Sequence, residues 1–370
     1  MPGIYIHIPF CQNKCSYCDF FSVASTTHLR PILQTMKKEM QSQHNFFNSK
    51  QISTIYIGGG TPSLLNPRQI EQLFSELSQH WDLTNLTEVT LEANPEDITL
   101  EYLREIKQNT PISRLSMGIQ SFDDDILKFF SRRHTAQKAE KAYYDAREAG
   151  FDNISLDLIY GVPNMSTQQW EYSLEKIMSL SPEHISAYHL SIEPGTKLGV
   201  KLKKGEIKPV DETVSQENYN LLCSVMRQND YNHYEISNFA KSGKQAMHNS
   251  AYWSGEPYLG IGPGAHSYNN STRHWCEQNV KDYISKTEYE SEKLSEDDKY
   301  NEFIMLSLRQ KDGVNLALLE KFLGNEKKNQ FLLSVKKLVE CGLVTHQGQF
   351  YYIKEKNWLI SDNIMANLFC

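Results

Sequence analysis

Between residue 3 and about residue 190 the chain alternates six short apolar runs with longer amphipathic ones, and no other feature limits its possible folds as much. The short runs are 3–8, 52–57, 88–92, 114–119, 153–159 and 184–189. Each is rich in β-branched or aromatic residues and bounded by turn or capping residues. The longer runs include 67–80, 100–108, 136–149 and 167–180. Asn66 and Pro67 supply an N-cap and first-turn proline to the first of these, and Gly150 stands just past the end of the third. Repeated strand–helix units imply a parallel sheet with right-handed crossovers. Six units are too few for the usual eight-stranded barrel. The expected fold class is therefore α/β, an incomplete (β/α)6 barrel.

The polar residues point to one end of that sheet. Gly58-Gly59-Gly60-Thr61, Glu92, Gln120, Asp157 and His189 all fall at or just beyond the C-terminal ends of otherwise apolar strands. Ligands bind outside the carboxyl ends of strands in barrels and open α/β sheets alike. Five consecutive strands agreeing in this way constitute a candidate site.

After about residue 200 the pattern loosens into a basic loop at 201–208, a helix at 217–227 and a Gly/Pro-rich loop at 258–268. From about 297 charged helices precede a small hairpin at 343–353 with Gly348 in its turn, the outline of a winged-helix-like α+β domain. The expected division is 1–200 for the partial barrel, 201–295 for an extension and 296–370 for the C-terminal domain. The net charge of −7, and the lack of a strong basic excess in 297–355, argue against a nucleic-acid partner. Long apolar runs are missing, so no transmembrane segment is expected, and MPGIYIHIPF does not read as a secretion signal. Seven cysteines, three of them within eight residues, fit metal binding in a reducing cytoplasm better than disulfides. A cytoplasmic location, extending to the periphery of the membrane, is the expectation.

Cys11, Cys15 and Cys18 follow the first expected strand on a loop that can turn three thiolates toward one metal site. Structural zinc usually takes four protein ligands, and the cysteines at 223, 276, 341 and 370 show no knuckle spacing to complete a set. A four-iron cluster with three cysteines leaves one iron open to an exogenous ligand. The spacing favours iron–sulfur over zinc.

C-x3-C-x2-C after the first strand of a βα protein resembles the radical S-adenosylmethionine (SAM) superfamily. That resemblance implies a [4Fe-4S] cluster on Cys11, Cys15 and Cys18 whose open iron binds the cofactor. An electron from the cluster, itself supplied by an electron donor, then cleaves the sulfonium; the difficult chemistry belongs to the cofactor. It also makes Tyr5, Tyr17, Gly59, Gly60, Thr61, Glu92, Gln120, Arg132, Asp157 and His266 cofactor-binding positions. Among these, Arg132 suits a carboxylate and Asp157 suits ribose hydroxyls or a neighbouring cation.

YIHIPFC, GGGTPS, LEANPE, RLSMGIQSF, NISLDLIYGVP and GIGPGAHS extend the resemblance over 3–355, to the branch that holds oxygen-independent coproporphyrinogen III oxidase (HemN) and the haem chaperone HemW. The oxidases carry a fourth cysteine two residues after the third; here that position is Phe20. His248-Asn249-x-x-Tyr252-Trp253 matches the H-N-x-x-Y-W signature of the chaperones. Histidine is a common haem ligand and aromatics line flat macrocycles, so His248, Tyr252 and Trp253 are candidate haem residues, with His7, His189 and His266 as further histidines near the expected mouth. The resemblance implies a haem carrier that delivers to acceptor haemoproteins, including respiratory ones. Oxidative decarboxylation of porphyrinogen propionates is the alternative.

Overall fold

In the computed structural model, which describes residues 2–370, the six expected strands are β1 (Gly3–Ile8), β2 (Thr54–Gly59), β3 (Glu88–Ala93), β4 (Arg114–Gln120), β5 (Ile154–Tyr160) and β6 (His184–His189). They pair in parallel, each with the next. β2 begins two residues later than expected because Ile52 lies outside the ladder, donating its N–H to the Asp82 carbonyl. Six helices run between or after these strands: α1 (Leu29–Ser42), α2 (Pro67–His80), α3 (Leu100–Asn109), α4 (Asp124–Phe129), α5 (Ala136–Glu148) and α6 (Thr167–Leu180). α2 and α6 start where expected because each opens with a capping box, Asn66 with Gln69 and Ser166 with Gln169. The sequence marks α1 poorly: its N-cap, His28, makes no side-chain capping bond.

The region after 200 departs from expectation. α7 (Lys197–Lys203), capped by Thr196, takes up the first part of the basic stretch expected as a loop. α8 (Glu212–Gln228) is longer than the helix expected at 217–227. β7 (Asn232–Glu235) and β8 (Asn238–Ala240) form a hairpin on the outer edge of β6, followed by α9 (Met247–Trp253). The supposed loop at 258–268 is two strands, β9 (Tyr258–Ile261) and β10 (His266–Tyr268). β9 adds in parallel to the outer edge of β1. Gly260 permits the turn back: a Cβ there would stand 2.3 Å from the His266 carbonyl oxygen. β11 (Thr272–Cys276), α10 (Val280–Ser285) and β12 (Tyr289–Lys293) complete that side. One sheet of twelve strands results, in the order β12-β11-β10-β9-β1-β2-β3-β4-β5-β6-β8-β7, parallel in the middle and antiparallel at both flanks.

The C-terminal part packs α11 (Glu296–Leu308) and α12 (Leu316–Glu340), the latter broken at Gly324, against a three-stranded antiparallel sheet. Its strands are β13 (Val314–Asn315), β14 (Val344–Gln347) and β15 (Phe350–Ile353), and β14–β15 is the expected hairpin with Gly348 in its turn. A 3-10 turn at Glu355–Ile360 and α13 (Ser361–Ala366) close the chain.

The two faces of the parallel strands differ sharply. Ile4, Ile6, Ile55, Ile57, Leu91 and Leu115 belong to the apolar core. The alternate positions carry Tyr5, Tyr56, Glu92, Arg114, Asp157 and His184 on the other face. Buried parallel strands ordinarily read as continuous apolar runs. Here the concave face is instead a column of polar side chains leading up to the strand ends.

Candidate functional site

A cavity of about 480 Å³ opens at the C-terminal ends of the strands. It brings together Cys11, Cys15, Cys18 and Tyr17 from the β1–α1 loop, Gly59, Gly60 and Thr61 after β2, and Glu92 from β3. Gln120 from β4, Arg132 and Asp157 complete the set, so sequence positions spread over more than a hundred residues share one wall. The register of β4 against β5 shifts between Met117 and Gln120, and Gln120 has φ +69°, a left-handed conformation that a glutamine adopts only at a cost. That bulge re-aims the end of the strand into the cavity.

The cysteines are partly exposed, and among the described residues all are free of disulfides. Thr61 donates its hydroxyl to Cys11 Sγ at 3.5 Å. Arg132 Nη1 donates to Cys15 Sγ at 3.4 Å, while Nη2 donates to Asn94 Oδ1 at 2.7 Å and to the Gly118 carbonyl. Burial raises the Cys18 thiol and its neighbouring thiols add to that rise. Three thiols on one loop, with donors already directed at two sulfurs, have the chemistry of an iron–sulfur ligand set. Bare backbone lies beside them: a Cβ on Gly60 would stand 2.6 Å from the Phe10 carbonyl oxygen, and Gly59 has φ +111°. Arg132 Nε is buried without a hydrogen-bond partner among the described residues, a donor in reserve for an anionic group. The residues thus fit a cluster held by the three cysteines, and a zwitterionic cofactor held by Glu92, Arg132 and the Gly59–Thr61 backbone.

Glu92 is the electrostatic centre. Tyr56 donates to its Oε1 at 2.7 Å and the Gly59 N–H to its Oε2 at 3.1 Å. Burial is the strongest influence on it and pushes it up to about 7, the two hydrogen bonds resisting and Asp157 adding to the rise. Asp157 is pushed up to about 6, again chiefly by burial, against a hydrogen bond from Ser186 and the charge of Arg114. Because Glu92 holds its proton to higher pH in the folded chain than in the unfolded one, its contribution is fully present below about 4.5. It is lost as pH rises through about 7. In ligand-free protein, Glu92→Gln is therefore expected to gain about 2.5 kcal/mol relative to the parent on going from pH 5 to pH 8, read from urea midpoints at the two pH values. Equal midpoint differences at both would refute the assignment.

Several wall residues carried no sequence signal of their own. Asn94 joins Arg132 to Thr61, donating to Thr61 Oγ1 at 3.1 Å. Glu96 lies in the same wall, bonded to His134; burial opposes its ionisation, but His134 and Arg132 hold it down at about 2. Both stand in the LEANPE stretch directly after Glu92, where the strand-end argument could have been carried two or four residues further.

Other expected residues lie elsewhere. Tyr5 sits below the cavity, its hydroxyl 3.0 Å from His7 Nδ1, and His7 Nε2 donates to the Phe21 carbonyl. His266 is exposed and stacks on Trp275 outside the cavity wall. His189 does line the wall, with Nε2 3.1 Å from Ser215 Oγ.

The candidate haem residues lie away from the cavity. His248 is 2% exposed at the opposite end of the polar column, beside Gly3 and Thr54 where the strands begin. Its Nδ1 is 2.8 Å from Thr54 Oγ1 and its Nε2 2.9 Å from the Tyr252 hydroxyl. The backbone N–H groups of Met247 and His248 donate to Glu88. Burial lowers His248 to about 3. Both ring nitrogens are engaged in this ligand-free arrangement, Nε2 by Tyr252 and Nδ1 by Thr54. Trp253 is partly exposed, and its carbonyl accepts from Gln310.

Comparison with known proteins agrees with this architecture. The radical SAM superfamily model matches residues 5–177 and the HemN C-terminal domain model residues 294–360. Heme chaperone HemW of Bacillus subtilis (strain 168) is 33% identical over 374 residues, 99% of this chain and 98% of its own. Heme chaperone HemW of Lactococcus lactis subsp. lactis is 33% identical over 373 residues, covering 97% and 95%. The solved structure of coproporphyrinogen III oxidase (HemN) from Escherichia coli superimposes with a TM-score of 0.86 over 100% of this chain and 90% of that one, at 21% identity. At that identity the likeness speaks for the fold.

Proposed function

We propose that this chain, which belongs to the HemW family of radical SAM proteins, binds haem and delivers it to acceptor haemoproteins. The observation that carries the reading is the end-to-end match to haem chaperones, through the C-terminal part as well as the cysteine loop. Phe20 favours it over the oxidase reading. Its side chain stands 73% exposed at the cavity wall, where the oxidase pattern would place a fourth thiol. Among the described residues no helix is long and apolar enough to cross a membrane, which suits a carrier that meets its acceptors in the cytoplasm or at a membrane surface.

Cluster and cofactor, when bound, supply one-electron reductive chemistry, with an electron donor as a further partner. The chain's own part is positioning. Cys11, Cys15 and Cys18 hold the cluster, Arg132 keeps a guanidinium against Cys15, and Glu92 offers a carboxylate to a cationic group.

The test pairs two assays on cluster-loaded protein. Haem binding followed by transfer to an apo-acceptor, without decarboxylation of coproporphyrinogen, supports the proposal; protoporphyrinogen formation at turnover overturns it. The position of His248 adds an expectation of its own. His248→Ala should keep haem affinity within about twofold while losing about 2–4 kcal/mol of stability, because two buried hydroxyls lose their partner. His189→Ala, at the cavity wall, should weaken haem binding more than His248→Ala does. The reverse order in haem titrations would restore His248 as a ligand.

A further inference from the structure

A second group of metal-binding side chains lies far from the cysteine loop, at the seam between the edge hairpin of the large sheet and the C-terminal part. Cys223 on α8, His233 on β7 and Glu355 at the start of the last 3-10 turn bring one donor atom each within 4.8 Å of one another. All three line a cavity of about 1050 Å³. We propose that these residues form a zinc site with three protein ligands and a fourth position open to that cavity.

His233 Nδ1 lies 2.8 Å from Glu355 Oε1 and 4.0 Å from Cys223 Sγ, and its Nε2 lies 3.4 Å from the Ile236 carbonyl oxygen. In the metal-free protein a ring hydrogen on Nδ1 satisfies the carboxylate, which can only accept. That proton serves two of the three donor atoms; a metal ion in its place would serve all three, with Nε2 then donating to the Ile236 carbonyl. In a tetrahedral zinc site neighbouring sulfur, nitrogen and oxygen ligands stand about 3.3–3.6 Å apart, and the separations here straddle that range.

The His233 ring is stacked on Phe239 at 3.9 Å and met edge-on by Trp358 at 4.3 Å, so its direction is set before any ion arrives. The carbonyl on its second nitrogen is the outer partner that metal-bound histidines usually have. Glu355 is held from both sides, by Arg227 on its other oxygen and by Tyr219, whose hydroxyl donates to the Glu355 carbonyl. One thiolate, one imidazole and one carboxylate suit zinc better than a hard cation. The two ligands from the sheet side and the one from the C-terminal part would then share an ion, joining the two through a bond rather than through packing alone. Water or a small donor group entering from the cavity would take the open position.

The test uses full-length, cluster-loaded protein equilibrated with zinc and then dialysed. About one zinc per chain is expected, with X-ray absorption at the zinc edge showing one sulfur at about 2.3 Å and nitrogen or oxygen neighbours at about 2.0–2.1 Å. Iron does not interfere at that edge. Cys223→Ser and Glu355→Gln should each lose most of the zinc, whereas Cys341→Ser, at an exposed cysteine outside the group, should keep it. No retained zinc overturns the proposal. So does a shell of three sulfurs unchanged by Cys223→Ser, which would place the ion on the N-terminal cysteines instead. The absorption measurement needs no substitution, so a variant that fails to fold leaves the outcome decided.

Discussion

Replacing Cys11, Cys15 or Cys18 by alanine, one at a time, is expected to abolish the broad visible absorption of the reconstituted cluster and reduce bound iron to background, while the chain stays folded. The two halves of that expectation have separate causes. With three cysteines the cluster has no spare protein ligand, because the other four lie on α8, on β11, after α12 and at the C-terminus. Stability should change little, since the three side chains are partly exposed and contribute few contacts to the apolar core. Iron analysis with circular dichroism on the same samples checks both halves. Iron retained by any one of the three variants would remove that cysteine from the ligand set, and a collapse of the dichroism signal would show the loop to be structural.

Arg132→Ala should have the next largest effect, this time on the fold as well as the site. The guanidinium is buried, and it joins Asn94 just after β3, the Gly118 carbonyl of β4 and Cys15 of the β1–α1 loop. Burial works against its charge, but the surrounding Tyr17, Cys15 and Glu96 hold it firmly protonated. Truncation leaves a carbonyl, an amide oxygen and a sulfur without their donor. A loss of about 3–5 kcal/mol is expected, measured as a shift in denaturant midpoint, together with faster loss of iron in air. Lysine should not rescue it, since a point charge cannot reach three acceptors in different directions. Full rescue by Arg132→Lys would show that charge alone is what the site needs.

How much of this could be read from residues alone depended on how local the cause was. α2 and α6 were legible to the residue because their starts are written in four consecutive side chains. The cavity wall was legible because strand ends collect there, and Glu92, Gln120 and Asp157 are polar exceptions in apolar runs. β9 was not legible: YLGI becomes a strand only because β1 offers it an edge, and glycines otherwise signal a loop. The setting of His248 was not legible for the opposite reason: the motif gives a residue type, but only the fold shows that Thr54 and Tyr252 occupy both ring nitrogens. Cys223 and His233, ten residues apart and on different elements, have no spacing rule that could have paired them with Glu355.

The pairing of β1 with β9 has a consequence for how the molecule is made. Gly3 of β1 pairs with Tyr258 of β9, a partner 255 positions later in the chain. At ribosomal speeds of about 5–20 residues per second, the first strand waits on the order of 10–50 seconds before that neighbour is synthesised. During that interval one edge of β1 is an open row of backbone donors and acceptors, the kind of edge that recruits stray strands. The cysteine loop hangs from the end of that same strand. Chaperones and iron-delivery machinery would thus meet a nascent chain whose metal-binding loop emerges first but whose supporting strand is flanked last, and expression rate becomes a variable in how much of the product carries iron.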